Sequence, residues 1–249
     1  MKNIIITGPT SSGKSQLALD LAQHMGAVIV NADSQQVYRG LEILTSQPSH
    51  KAQERVPHHL YGYVDVSEPY SVGRWRDDVS RLISTIKSPL IFVGGTGLYL
   101  KVLREGISPI PDIPGSIREE VRALAHRLAP AALYDRLSVC DPGMAARLAP
   151  NDTQRIVRAL EVMKATGKSL IHWQTLPPER LDCGELTTIA LLPDQGESRR
   201  ELYKRIDLDT EARLIQGGVR EVECLLRLYP SEQFEHKAIG VQAIIACLG

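Results

Sequence analysis

"NIIITGPTSSGKS", residues 3–15, decides the fold. "NIIIT" is a β-branched run of the kind found in strands buried on both faces of a parallel sheet. Residues 8–15 fit G-x-x-x-x-G-K-[ST], a glycine-rich loop whose backbone N–H groups wrap phosphate oxygens at a helix start. "KSQLALDLAQHMG" supplies that helix: Leu17, Leu21 and Met25 recur at a four-residue spacing, and Gly26 ends it. A chance glycine-lysine turn would not place strand, loop and helix in the order the mechanism requires. In such a loop Gly8, Pro9, Thr10, Ser11, Ser12 and Gly13 shape the cradle. Lys14 adds a point charge, and the Ser15 hydroxyl suits Mg²⁺.

The bulk numbers set limits. The chain has 249 residues, 43% of them hydrophobic, enough for one large domain or a core with a smaller companion. Its 29 basic and 29 acidic residues cancel. General polyanion binders are basic, so contact with nucleic acid has to come from local patches. Cys140, Cys183, Cys224 and Cys247 are scattered with no C-x-x-C pair, which argues against zinc and for a reducing, cytoplasmic setting. The N-terminal apolar run is too short for a signal peptide. No stretch approaches the ~20 apolar residues of a membrane span. The expectation is a cytoplasmic monomer without membrane contact.

Working outward from the loop, "AVIVNADS" reads as a second buried strand ending in Asp33. "SVGRWRDDVSRLISTIKS" is a helix with Trp75, Val79, Leu82, Ile83 and Ile86 on one face. "PLIFVGGTG" is a third strand with a glycine turn, and "LYLKVLREG" starts another helix. This alternation predicts an α/β fold, a P-loop NTPase-like doubly wound parallel sheet. Prolines 109, 111 and 114 then mark a change of texture. "SIREEVRALAHRL" and "NDTQRIVRALEVMKATGKS" have helical periodicity and no strand pattern. "TTIALLP" returns to the sheet, and "SRRELYKRIDLDTEARLIQGGVREVECLLRLY" reads as helices. The predicted organisation is a core of residues 1–112 and 186–249, with an inserted all-helical domain at 113–185.

Several residues carry chemistry. An acid at the carboxyl end of a parallel strand borders the crevice where such sheets bind ligands. Asp33 therefore faces the phosphate loop, caps a turn, or helps hold Mg²⁺ through water. The following Ser34, Gln35 and Gln36 suit recognition of a base edge, since a glutamine amide pairs with adenine. A P-loop ATPase often ends its third strand in an acid that holds Mg²⁺. Here it ends in Gly94-Gly95-Thr96-Gly97, which argues against γ-phosphate hydrolysis and leaves the Thr96 hydroxyl near the cleft. In the insertion, Arg155 and Arg158 are helical i, i+3 neighbours that either grip an RNA backbone or face solvent. His58-His59 has no third ligand at a recognisable spacing. Trp75 and Trp173 read as packing residues. Arg199, Arg200, Lys204 and Arg205 either line a diphosphate site or are exposed.

Together these motifs resemble the bacterial tRNA dimethylallyltransferases. The resemblance runs in order along nearly the whole chain: "GPTSSGKS", "NADSQQVYRGLEI", "VPHHL", "LIFVGGTGLYL", "DP" at 141–142, "PNDTQRIVRALEV" with "TGKS", "RRELYKRID" and "KAIG". Only the first is widespread among P-loop proteins. The resemblance implies transfer of a five-carbon isoprenoid from dimethylallyl diphosphate to N6 of an adenosine just 3′ of the tRNA anticodon. It implies that residues 8–15 hold the diphosphate, with Mg²⁺, and that Asp33, Lys14 and Thr96 are catalytic. Asp33 would accept the amine proton, and Ser34 to Gln36 would contact the base. Thr96 and Arg118 would lie near the RNA, and Gln154, Arg155, Ile156, Val157 and Arg158 on the tRNA-contacting surface. The absent acid after strand three then makes sense, because no water has to be aimed at a γ-phosphate.

The chain departs from the family pattern at Gln35 for a methionine and Gln47 for a lysine. Asp209 stands in a run where arginines are usual, and Val241 and Gln242 replace a tyrosine and a basic residue. The chain stops at Gly249, where the family usually runs on into a basic helix. Apart from the change at Gln35, each departure removes a charge or ring expected to serve substrate, so reduced activity or altered tRNA choice follows as an expectation. Three alternatives stay open: an adenylate isopentenyltransferase acting on free nucleotide, a P-loop small-molecule kinase or NTPase, and a weakly active tRNA-binding relative.

Overall fold

The β-branched run becomes a central strand. In the computed structural model, which describes residues 2–194 and 196–248, β1 (Lys2–Thr7) leads through the glycine loop into α1 (Lys14–Met25). Then come β2 (Val28–Asn31), α2 (His50–Arg55), β3 (His58–His59), α3 (Val72–Thr85), β4 (Leu90–Val93) and α4 (Gly97–Glu105). A run of helices follows: α5 (Gly115–Arg127), α6 (Pro130–Cys140), α7 (Pro142–Ala145), α8 (Thr153–Thr166) and α9 (Leu170–Thr175). The chain returns through β5 (Glu185–Ala190) to α10 (Glu197–Arg213), a π-helical turn at Leu214–Gly218, α11 (Val219–Leu228) and α12 (Val241–Leu248).

The sheet has the order β3-β2-β4-β1-β5, and every pairing is parallel. Its register sets Ile4, Ile5 and Ile6 of β1 beside Ile91, Phe92 and Val93 of β4. β2 and β4 are buried on both faces, which is why they read as unbroken apolar runs, whereas the edge strand β5 has no buried residue. Ile6, Ile29, Ile91 and Val93 pack with Ala18, Leu19 and Ala22 of α1. The alternate residues Ile5, Val30 and Phe92 are equally buried. Each such side chain contributes about 1.5–3 kcal/mol by leaving water. Asn3 holds the lower edge: its amide donates to the Cys183 carbonyl and accepts the Leu90 N–H, both at 2.7 Å.

Two elements escaped the sequence reading. β3 is only two residues long and shows no alternation, and α2 has no buried residue to give a periodic stripe. β5 begins at Glu185 and ends at Ala190, short of the apolar "LLP" expected to continue it.

The chain divides into two compact units, Met1–Arg104 with Leu181–Gly249, and Glu105–Arg180. The insertion therefore starts earlier and ends sooner than 113–185. Its neck is an antiparallel bridge, in which Ile107 donates to the Glu179 carbonyl at 3.0 Å and Glu179 donates back at 2.8 Å. A single residue pair leaves no sequence period to detect. Within this unit Leu133, Leu137, Ile156, Ala159 and Val162 form a helical core. Asp141 and Asp152 cap α7 and α8 by accepting N–H groups of Met144 and Arg155.

Candidate active site

The phosphate loop leaves the carboxyl end of β1, and Asp33 follows the carboxyl end of β2, with β4 between them. Gly94, just past β4, is what lets these ends converge. A Cβ there would stand 2.1 Å from the Ala32 carbonyl oxygen. Gly13, at φ +89°, makes the left-handed turn into α1. The Lys14 ammonium donates to the Pro9 carbonyl at 2.5 Å, folding back over its own loop. Burial pushes Lys14 below the ordinary lysine value, while the Asp33 carboxylate pulls the other way. Ser11 Oγ and Ser12 Oγ are buried with no hydrogen-bond partner. Buried hydroxyls are normally satisfied, so this pair marks a cradle shaped for oxygen-rich groups that the protein does not itself supply.

Asp33 is held by its own neighbours. Its Oδ1 accepts the Gln35 N–H at 3.0 Å, and its backbone N–H and carbonyl both meet the Asn31 amide. Among the described residues Asp33 Oδ2 has no hydrogen-bond donor, which leaves one carboxylate oxygen available to a substrate proton. Thr96, on the turn before α4, accepts the Ser34 N–H at 3.0 Å. Ser15 is exposed at the first turn of α1. Among the described residues no cluster of three or more His, Cys, Asp or Glu could hold a metal. Ser15 and Asp33 fit the other arrangement, in which Mg²⁺ takes one or two protein oxygens and fills its shell with phosphate and water.

The phosphate loop, Ser15 and Asp33 line one cavity of about 1170 Å³, whereas Thr96, expected to be catalytic, does not line it and instead braces Ser34. Pro9 to Gln16, Asp33, Gln35 and Gln36 form its polar side. Its other side is an apolar wall including Leu44, Ile206, Leu214, Val219, Ile239 and Ile244. The sequence reading missed this wall, because its residues come from α10 to α12 and a loop at 41–47 that only the fold brings together. Asp209 and Arg213 also line it, and Lys14 and Arg213 are the cationic side chains on the surface it describes. Arg213 is braced by the Asp209 carbonyl at 3.1 Å and the Leu44 carbonyl at 3.4 Å.

Other expected site residues have partners that redefine them. Gln35 Oε1 accepts the Ile239 N–H at 3.0 Å, and Gln36 Nε2 donates to the carbonyls of Thr45 and Ser46 at 2.8 and 2.9 Å. Gln47 donates to the Tyr38 carbonyl at 2.8 Å, so this departure from the family works as a loop latch. Val241 is fully buried in the core and Gln242 is exposed. Arg199 lies over the Tyr203 ring and Lys204 pairs with Glu201, and neither lines the cavity.

The helical unit carries its candidates separately. Gln154 and Arg155 are exposed on α8, and Val157, Arg158 and Arg118 are half-buried. Ile156 was expected on the RNA-contacting surface, but it is 0% exposed and belongs to the helical core. The reason is its place on the buried stripe with Ala159 and Leu160. Arg155 pairs with its helix cap Asp152 at 3.1 Å. Arg158 and Arg122 both meet the buried Glu161, at 3.4 and 3.5 Å, so Arg158 also neutralises a carboxylate that could not be buried alone.

Comparison with known proteins places this geometry. The family model described as IPP transferase matches residues 36–249. A second, described as Isopentenyl transferase, matches residues 1–58. The tRNA dimethylallyltransferase of Rhizobium johnstonii is 47% identical over 250 residues, spanning 98% of this chain and 83% of that protein. That of Chelativorans sp. is 45% identical over 249 residues, spanning 98% and 84%. Among solved structures, the full-length tRNA isopentenylpyrophosphate transferase of Bacillus halodurans gives a TM-score of 0.63 at 32% identity, over 99% of this chain and 77% of that one. A eukaryotic dimethylallyltransferase acting on tRNA gives 0.75 at 29% identity, over 94% and 57%.

Proposed function

The chain belongs to the IPP transferase family, and we propose that it moves the dimethylallyl group of dimethylallyl diphosphate onto N6 of the adenosine 3′ of the tRNA anticodon. The observation that carries the reading is one cavity with three parts. A phosphate loop has unpartnered hydroxyls at Ser11 and Ser12, Asp33 offers a carboxylate oxygen, and an apolar wall is large enough for an isoprenoid.

The chemistry follows from those parts. The residues Gly8 to Ser15 grip the diphosphate, with Lys14 exchanging the Pro9 carbonyl for a phosphate oxygen. Arg213 approaches the same group from the opposite wall. Mg²⁺, held by Ser15 with Asp33 nearby, would neutralise diphosphate charge when bound. The N6 nitrogen forms a bond to C1 of the dimethylallyl group as the C1–O bond breaks, and its electron pair leaves with the diphosphate. Charge grows on that leaving group, where the loop amides and Lys14 stabilise it. The nitrogen sheds one proton, and Asp33 accepts it. The adenosine has to leave its stack to reach the cleft. On the helical unit, Gln154, Arg155, Val157 and Arg118 would meet the anticodon stem-loop, largely through phosphates. No helix among the described residues is long and apolar enough to cross a membrane.

The test is mass spectrometry of tRNA nucleosides after incubation with dimethylallyl diphosphate and Mg²⁺, with AMP as a competing acceptor. Dimethylallyl-adenosine recovered from tRNA supports the reading. Label on AMP alone, or ATP turnover without isoprenoid transfer, overturns it. Asp33→Ala should still bind tRNA and lose most transfer.

A further inference from the structure

Asn31 is the polar end of an otherwise apolar buried strand, "VIVN", and is itself 0% exposed. A buried amide persists where its hydrogen bonds are met. Here a single side chain takes both backbone groups of Asp33. Asn31 Oδ1 accepts the Asp33 N–H at 2.7 Å, and Nδ2 donates to the Asp33 carbonyl at 2.9 Å. Nδ2 also donates to the Leu60 carbonyl at 2.9 Å. The opposite amide orientation would set NH₂ against the Asp33 N–H, so the network admits one arrangement.

The backbone of Asn31 is pinned as well. Its carbonyl accepts the Trp75 indole N–H at 2.9 Å, and Trp75 stacks on Tyr99 with ring centroids 4.3 Å apart. The ends of β2 and β3, together with α3 and α4, therefore meet around one residue. Leu60 sits at φ +64°, a left-handed conformation that a bulky residue adopts only when its surroundings hold it there. Its carbonyl is held by Asn31.

We infer that Asn31 is a positioning residue for the proton acceptor: its carboxamide fixes the Asp33 backbone, and through it the carboxylate that faces the adenosine amine. Asn31 is fully buried and does not line the cavity. The inference rests on Asp33 being the acceptor. A misplacement of about 1 Å at such a group lowers the rate on the order of 10²-fold.

A double-mutant cycle tests it. Single-turnover transfer is measured for the parent, Asn31→Ala, Asp33→Ala and the double variant, at saturating tRNA and dimethylallyl diphosphate, with tRNA Kd measured alongside. Asn31→Ala should slow transfer by about 10²-fold with tRNA Kd unchanged, and should slow it no further once Asp33 is alanine. A parent-like rate for Asn31→Ala overturns the inference. So does an equal fold-loss in both backgrounds, which would mean that Asn31 acts elsewhere. If Asn31→Ala does not fold, the same cycle is run with Asn31→Ser, which removes the amide donors to the Asp33 and Leu60 carbonyls while keeping a small polar side chain; a parent-like rate or additivity there overturns it equally. Should Asp33→Ala itself keep transfer, it is the acceptor assignment that fails.

Discussion

Ser34 donates its backbone N–H to Thr96 Oγ1 at 3.0 Å, joining the loop after β2 to the turn after β4 across 62 residues of chain. The Thr96 hydroxyl in turn points to Ser34 Oγ at 3.3 Å. Thr96 thus braces the segment that follows Asp33. Thr96→Val should leave the Ser34 N–H without its acceptor and lower unfolding free energy by about 1 kcal/mol, read from urea midpoints. Thr96→Ser should keep both stability and transfer. Equal midpoints for parent and Val variant would mean that the contact is inert.

Lys14 supplies a pH prediction. Burial lowers its pKa from the ordinary 10.5, with Asp33 opposing. Diphosphate binds the protonated form. Affinity is therefore complete at pH below the lowered value and is lost as pH rises through it. The KM for dimethylallyl diphosphate should start to climb at a lower pH than an exposed lysine would allow. Lys14→Met should raise KM at pH below the limb, where the lysine is charged, and erase the limb itself. A limb that persists in Lys14→Met belongs to another group.

Arg213 and Asp209 face the cleft one helical turn apart. The arginine supplies the charge that Asp209 withholds. Arg213→Gln should raise the KM for dimethylallyl diphosphate about tenfold, equivalent to roughly 1.4 kcal/mol. The tRNA Kd should not move. Asp209→Asn should lower that KM by removing a like charge from the diphosphate. An unchanged KM in both variants would place the leaving group elsewhere.

Glu221 clamps the cavity wall from a distance in sequence. Its two carboxylate oxygens accept the Ile43 and Leu44 N–H groups at 2.7 and 2.9 Å. Burial raises its pKa while those two donors pull it down. Glu221→Ala should lower unfolding free energy by about 1–3 kcal/mol. It should also raise the KM for dimethylallyl diphosphate, because Leu44, Thr45 and Ser46 line the cavity. Denaturant titration and steady-state kinetics separate the two effects. A loss of stability with unchanged KM would confine Glu221 to the fold.

The parallel core was legible because burial on both faces leaves a direct trace: apolar runs such as "IIIT" and "LIFV", separated by helical periods. The phosphate loop was legible because its function is performed by local backbone geometry, written in consecutive residues from Gly8 to Ser15. Asp33 could be named from its place at a strand end. What Gln35, Gln36 and Gln47 do could not, since a glutamine's partner depends on what the fold sets opposite it. Here the partners are Ile239, the 45–46 loop and Tyr38. Ile156 shows the converse, a residue in a recognised motif whose side chain is spent on packing.

Residue order by itself determined the strand–loop–helix start, the doubly wound core with its helical insertion, and the identity of the acid and the lysine. Tertiary structure alone decided the apolar wall from α10 to α12, the placing of Arg213 against Leu44 on that wall, and the grip of Asn31 on Asp33. The division has a physical cause. Secondary structure and loop chemistry depend on neighbours along the chain, whereas a cavity and its electrostatics depend on groups far apart in sequence that packing makes adjacent.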